Sequence, residues 1–316
     1  MAEPRKIIID TDPGQDDAVA ILLALASPEE LDVIGVVAVA GNVGLHHNTT
    51  NARKVVELSG RTDVPVYAGC ARPIRRQLVT AEHVHGETGL DGPNLPEPTL
   101  VPLQDQHGVD YLVETLMASD KGSITLCALG PLTNLAMALI KQPAIAERIA
   151  EIVLMGGAYF EVGNITPAAE FNIYVDPEAA DVVLRSGIEI TILPLDVTHQ
   201  MQSTPARLEA IRALGNKAGA AVHAMLSFSE TFDLKKYGWE GAPLHDPTVI
   251  AYLLQPELFE GRHCNVTIEV SSELTMGMTV ADYWHVTGKV KNATYIRNGN
   301  AEGFYKLLTE RLARLP

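Results

Sequence analysis

Basic residues are scarce: 24 Lys and Arg stand against 39 Asp and Glu, a formal net charge of −15. No basic block interrupts that excess, which argues against a binder of the phosphate backbone, whose affinity rests on clustered Lys and Arg. Cysteine is almost absent. Cys70, Cys127 and Cys264 lie far apart with no CxxC, so no disulfide framework is expected and a reducing compartment fits. The longest apolar run, Ala18 to Ala26, has nine residues, about half a membrane span. Met1 to Lys6 is polar, and Ile7-Ile8-Ile9 enters a turn without a cleavage site, so no export signal is expected. The chain holds neither GxxxxGK[ST] nor GxGxxG, which removes the P-loop and the dinucleotide fingerprint. These absences predict a soluble cytoplasmic protein with neither nucleic acid nor membrane as partner.

What is present is a large apolar fraction, 47% of 316 residues. A chain of this length buries roughly three-quarters of its unfolded surface and needs no staples. Continuous β-branched runs alternate with Ala/Leu-rich ones. Strands are predicted at Lys6–Asp10, Leu31–Ala40, Val64–Ala68, Ile124–Leu129, Ile152–Met155 and Glu189–Leu193. Helices are predicted at Asp16–Ala26, Asn48–Ser59, Gly108–Ala118, Pro131–Ile140 and Pro177–Ser186. Ser27-Pro28-Glu29-Glu30 carries the signals of a helix start. Such alternation predicts a mostly parallel sheet covered on both faces. After Arg262 the period falls to two, so His263–Val270, Thr275–Trp284 and Val286–Asn292 are expected as antiparallel additions before a C-terminal helix from Ala301. The expected fold is one α/β domain, residues 1–316, with a Rossmann-like core. Arg72–Gln106, Gly156–Val175 and roughly Asp196–Pro247 resist assignment, although the last contains two helical runs. Long irregular excursions in a compact domain are usually functional. Ligands of open α/β sheets bind outside the carboxyl ends of the strands, where Asp10-Thr-Asp12, Gly41-Asn42 and Gly156-Gly157 fall.

The informative segment is Asp10-Thr-Asp12-Pro-Gly-Gln-Asp16-Asp17, four carboxylates within eight residues at a strand-to-helix turn. Pro13 favours extended backbone at Asp12, and Gly14 permits the reversal. One acidic residue here would read as a helix cap. Four repel one another, and a hard cation bound through oxygen would relieve the repulsion. The spacing is not that of an EF-hand, because Pro13 and Gly14 occupy positions where that loop needs ligands.

Ile-Ile-Asp10-Thr-Asp12-Pro-Gly-Gln-Asp16-Asp17-Ala resembles the N-terminal signature of the nucleoside hydrolases, the inosine–uridine-preferring family. The likeness continues in order through Gly41-Asn42, His85-Gly86, Gly89-Leu-Asp-Gly92, Leu129-Gly-Pro-Leu-Thr-Asn134, Met155-Gly-Gly157, Gly163-Asn164, Glu170-Phe-Asn172 and Leu244-His245-Asp246-Pro247. That resemblance implies Ca²⁺-dependent hydrolysis of the N-glycosidic bond of ribonucleosides to ribose and free base. It also implies a homo-oligomer, dimer or tetramer. The implied calcium ligands are Asp12, Asp17, Asp246 and the main-chain carbonyl of Leu129, with Asp12 also the general base toward water. Asn164, Glu170 and Asn172 would line the ribose with Asn42, Asp16 would reach its 2′-hydroxyl, and Met155 would pack nearby.

The reaction passes through an oxocarbenium-like transition state, so negative groups near the sugar suit it. The leaving base needs a proton, and His is the natural donor near neutral pH. His245 is expected as that general acid and His85 as a base contact or second donor. Tyr237 and Trp239 could stack on the base or simply pack their loop. Two other readings stay open. Asp-x-Asp after a first strand also begins metal-dependent phosphohydrolases, although Pro13-Gly14 follows directly and no Lys station is evident. A catalytically silent ribose-binding protein would keep the same pocket.

Overall fold

The computed structural model describes residues 3–316, with the backbone course but not the side chains of residues 230–237. Its strands and helices alternate along the chain: β1 (Arg5–Thr11), α1 (Gln15–Leu25), β2 (Leu31–Ala38), α2 (Leu45–Ser59), β3 (Val66–Ala68), α3 (Glu82–His85), β4 (Leu103–Gln104), α4 (Gly108–Ala118), β5 (Ile124–Ala128), α5 (Thr133–Lys141) and β6 (Ile149–Met155). Next come α6 (Phe171–Val175), α7 (Pro177–Leu184), β7 (Ile190–Leu193), α8 (Leu195–Thr198), β8 (Gln202–Ser203), α9 (Pro205–Arg212), α10 (Lys217–Tyr237), β9 (Ala242–Pro243) and α11 (Pro247–Leu254). The chain ends with β10 (Phe259–Ile268), β11 (Thr279–Asp282), β12 (Ala293–Gly299) and α12 (Ala301–Leu312).

One ten-stranded sheet runs in the order β11-β10-β12-β7-β6-β5-β1-β2-β3-β4. Its centre is parallel, as the uninterrupted apolar strands predict. Because side chains alternate along a strand, Ile7 and Ile9 enter one apolar cluster while Ile8 enters the other. Met155 and Val153 likewise separate from Ile152 and Leu154. Helices therefore cover both faces. Helix α1 is buried at every position except Asp16, so it is a core element rather than an amphipathic surface helix.

Two expectations need correction. Ser27–Glu30 starts no helix. The Ser27 carbonyl accepts from the Glu30 and Leu31 amides, forming a turn that delivers the chain into β2. After Arg262, the segment 286–292 is not a strand, and the strand lies instead at Ala293–Gly299. Asn292 explains where it begins. Its side chain accepts from the Val266 amide and donates to the Leu184 and Val266 carbonyls, pinning the chain as pairing begins. Strand β12 pairs parallel with β7 and antiparallel with β10. Only β10 and β11 are antiparallel additions. Among the described residues, no helix is long and apolar enough to cross a membrane.

Candidate active site

Strand β1 delivers its acidic tail to the carboxyl end of the sheet, between β2 and β5. There the acidic turn organises itself through its own backbone. The Asp17 carboxylate accepts from the Thr11 hydroxyl (2.5 Å) and from the Asp12 and Gly14 amides (3.2 and 3.0 Å). The Asn42 amide nitrogen adds a fourth contact at 3.2 Å. Half of a capping box is thus realised at α1, with Asp17 reaching back to Gly14.

Asp12 is wedged between two glycines. A Cβ on Gly41 would lie 2.1 Å from its Oδ2, and one on Gly130 would lie 2.2 Å from its Oδ1. Oδ2 accepts from the Asn42 backbone amide at 2.7 Å, whereas Oδ1 is buried without a hydrogen-bond partner. An unpartnered buried carboxylate oxygen is costly unless something positive or a proton donor meets it.

Oxygens of Asp16, Asp17 and Asp246 all lie within 4.8 Å of one another. This grouping includes Asp16, which was expected on the ribose, and does not include Asp12. Asp12 joins instead through Asn42, which touches both Asp12 and Asp17. Burial, joined by the charges of neighbouring aspartates, raises the carboxyls of Asp12 and Asp246 well above the ordinary range and that of Asp17 to about 6. Asp10 rises to about 8 through burial, against the opposing effect of its bond from Asn134. No Lys or Arg stands among the described residues lining the cavity beside this cluster. A dense, anionic, oxygen-only set with no cation beside it fits a hard divalent ion, so the cluster could hold a metal.

A cavity opens beside this cluster at the carboxyl end of the sheet. Asp16, Asn42 and Asp246 form part of its wall, with Leu129, Met155 and Asn172 beside them. Asn172 donates to the Leu129 carbonyl at 2.7 Å and to that of Met155 at 3.2 Å. Glu170 caps α6 by accepting from the Asn172 and Ile173 amides, and it also receives the Gly157 amide. Burial nevertheless lifts its carboxyl to about 7. Asn164 accepts from the Phe171 amide at 2.9 Å. All three residues expected on the ribose therefore meet on one wall.

The lining is also rich in imidazole. His83, His85, His199 and His245 all belong to it. His85 Nδ1 shares a 2.6 Å hydrogen bond with Gln15 Oε1, while Gln15 Nε2 donates to the His85 and Asp91 carbonyls. Gly14 makes room for that ring, since a Cβ there would approach it to 2.5 Å. His245 Nδ1 shares a 2.7 Å bond with the Thr198 hydroxyl. Burial pushes His245 down to about 4 and also lowers His85.

Every expected site residue thus converges on this mouth, Asp12 and Asp17 being buried immediately beside the wall. Gln15, Thr198 and His199 were not anticipated. Gln15 sits inside the acidic motif but reads there as a spacer. Thr198 and His199 follow the carboxyl end of β7, the same positional signal that drew attention to Asp12 and Asn42. Trp239 packs its ring 4.8 Å from His199. Tyr237 closes α10 instead of lying in a loop, and its side chain lies outside the described residues.

Residues 7–306 match the family model described as inosine–uridine preferring nucleoside hydrolase. The chain is 49% identical over 310 residues to a pyrimidine-specific ribonucleoside hydrolase, RihA, of Shewanella sp. strain ANA-3, covering 98% of this chain and 96% of that one. Among solved structures it is similar to a plant nucleoside hydrolase, PpNRh1, with TM-score 0.90, 36% identity, and coverage of 98% and 99% of the two chains. A purine-preferring ribonucleoside hydrolase from Gardnerella vaginalis also superposes with TM-score 0.90, at 31% identity and 98% coverage of each chain.

Proposed function

The chain belongs to the inosine–uridine preferring nucleoside hydrolase family and is a ribonucleoside hydrolase, and from that premise we propose that it uses Ca²⁺ and prefers pyrimidine ribonucleosides. The observation that carries the metal is the cluster of Asp16, Asp17 and Asp246 beside the orphaned oxygen of Asp12. Asp12, Asp17, Asp246 and the Leu129 carbonyl hold the ion in this reading, and Asp16 serves the ribose 2′-hydroxyl. Calcium suits the site because it accepts six to eight oxygens in flexible geometry. When bound, the ion supplies positive charge that acidifies water and orients ribose hydroxyls.

Asp12 accepts the proton of the attacking water at Oδ1, the atom left without a partner. Asn42 holds the other oxygen, so the free one keeps a fixed direction. Asn164, Glu170 and Asn172 orient the ribose, and the carboxylates around the sugar stabilise the oxocarbenium-like transition state. His245 protonates the leaving base, assisted by His85. The proton that His245 donates is first taken up from solvent, and the Asp16 carboxylate beside the ring favours the imidazolium that carries it. The pyrimidine preference rests on the full-length relatives at 48–49% identity, which are pyrimidine-specific, against 31% for the purine-preferring neighbour. We place the enzyme in the cytoplasm as one catalytic domain that assembles as a homo-oligomer.

The test is reducing-sugar release from uridine, cytidine, inosine and adenosine, after chelation and again with Ca²⁺ restored, with Asp12→Asn alongside. Asparagine at 12 can still accept from the Asn42 amide, so the fold should survive while turnover drops on the order of 10²–10⁴-fold. Calcium-restored release with pyrimidines fastest is the expected result. Near-normal rates in folded Asp12→Asn protein would remove Asp12 as general base, and undiminished release after chelation would remove the metal.

A further inference from the structure

Helix α8 and the residue that follows it supply Asp196 and His199, which hold the backbone and the side chain of Glu161 respectively. Asp196 is buried and spends its carboxylate on another loop. It accepts from the Tyr159, Phe160 and Glu161 amides at 3.1, 2.7 and 3.2 Å, and from the Tyr295 hydroxyl at 2.8 Å. That clasp fixes the backbone of Glu161, whose side chain is 47% exposed and would otherwise wander. Glu161 Oε2 lies 3.4 Å from Nδ1 of His199, whose side chain is only 9% exposed. The ring of His199 lines the cavity between two partners. The indole of Trp239 sits 4.8 Å away and the His245 ring 5.9 Å away.

A carboxylate behind one ring nitrogen selects the tautomer and aims the other nitrogen. On a wall whose described lining holds no Lys or Arg, such a pair is the natural source of a directed donor toward a carbonyl or ring nitrogen. We propose that the Glu161–His199 pair is a specificity determinant that hydrogen-bonds the edge of the leaving base, beside His245. A base offering hydrogen-bonding groups on its edge, as pyrimidine nucleosides do, is the chemistry this pair fits. The inference rests on the ribonucleoside reading of the same cavity.

The test compares wild type, Glu161→Gln and His199→Gln on uridine, cytidine, inosine and p-nitrophenyl riboside. The last lacks a hydrogen-bonding base edge and leaves without help. The expected result is a 10–100-fold fall in kcat/KM on the nucleosides, an altered uridine-to-inosine ratio, and p-nitrophenyl riboside within twofold of wild type. Glu161→Gln changes a half-exposed side chain, so it keeps the test informative should His199→Gln fold poorly. Equal losses on all four substrates would assign the pair a structural role and overturn the proposal. Unchanged rates in both variants would overturn it alone, leaving the hydrolase reading intact. A wild type that cleaves p-nitrophenyl riboside but no nucleoside would defeat the reading and the proposal together.

Discussion

The two ends of the parallel sheet handle charge in opposite ways. At the amino ends every acid named here has a visible counterion near solvent. Arg5 meets Glu151 at 2.6 Å, Arg311 grips Glu30 with two bonds at 2.6 and 3.0 Å, and Lys121 meets Glu147. At the carboxyl ends Asp10, Asp12, Asp17, Glu170 and Asp246 are buried, and no cationic side chain stands among the described lining of the mouth. Exposed pairs contribute little, about 0–1 kcal/mol each. Buried carboxylates without counterions oppose folding, and burial raises all five. One end is arranged for solubility and stability, and the other stores electrostatic potential that a cation and an oxocarbenium-like sugar can discharge.

The comparison breaks most severely where the carboxyl end is held in place. Gly130→Ala puts a Cβ 2.2 Å from Asp12 Oδ1 and 3.2 Å from its amide nitrogen, so the carboxylate must swing away. A displacement of about 1 Å at a reacting group costs on the order of 10²-fold in rate. Gly44→Ala is the matched control, because nothing lies within 4 Å of its added Cβ and its backbone is extended. Steady-state ribose release from both variants, with melting curves, checks this. Equal rates in the two would show that Asp12 tolerates displacement.

A second experiment sharpens the electrostatic half. Burial lifts the Glu170 carboxyl of the folded protein to about 7, above its ordinary value of 4.5. The folded protein therefore holds this proton more tightly than the unfolded chain does. The group's contribution to stability is fully present below pH 4.5 and is lost as the pH rises toward 7. The slope is at most about 1.4 kcal/mol per pH unit within that window. His85 and His245 have lowered values and act in the opposite sense as the pH falls below 6.5, so the informative quantity is a difference. In chelated protein, denaturant-derived stability should fall less steeply from pH 5 to 7 in Glu170→Gln than in wild type. Parallel curves would mean that Glu170 is ionised throughout that range despite its burial.

Much of this was legible in the sequence because local rules and tertiary demands agree there. Ile7-Ile8-Ile9 had to be a strand buried on both faces, and Asp10 to Asp17 had to sit where that strand ends. The acidic motif and Asn42 meet at one mouth for that reason, whereas His85 and His245, which line the same cavity, were assigned there only by the resemblance to nucleoside hydrolases. Failures came where a local signal had two outcomes. Ser27-Pro-Glu-Glu satisfies both a helix start and a turn, and the short distance to Leu31 decided for the turn. Alternation in 286–292 satisfied a strand pattern, but the pairing partner β7 selected the segment that begins at Ala293. Thr198 and His199 were missed because their meaning lies in contacts with Glu161, Trp239 and His245, dozens of residues away and without spacing of their own.

The smallest expected effect belongs to the amino end and tests whether the contrast between the two ends is real. Glu30→Gln removes the bidentate partner of Arg311, linking the turn before β2 to the C-terminal helix α12. Geometry is favourable and Arg311 is only 11% exposed, yet Glu30 remains 41% exposed. Solvent screening should therefore hold the loss to about 0.5–1 kcal/mol, a shift of roughly 1–4 °C in Tm for a chain of this size. Added salt should shrink the difference between variant and wild type, because exposed pairs are screened within a Debye length of about 10 Å at 0.1 M. Ribose release should be unchanged, since neither residue touches the mouth. A loss above 3 kcal/mol that persists in high salt would put this pair among the buried, expensive charges. The division of the sheet into a screened end and a charged end would then fail.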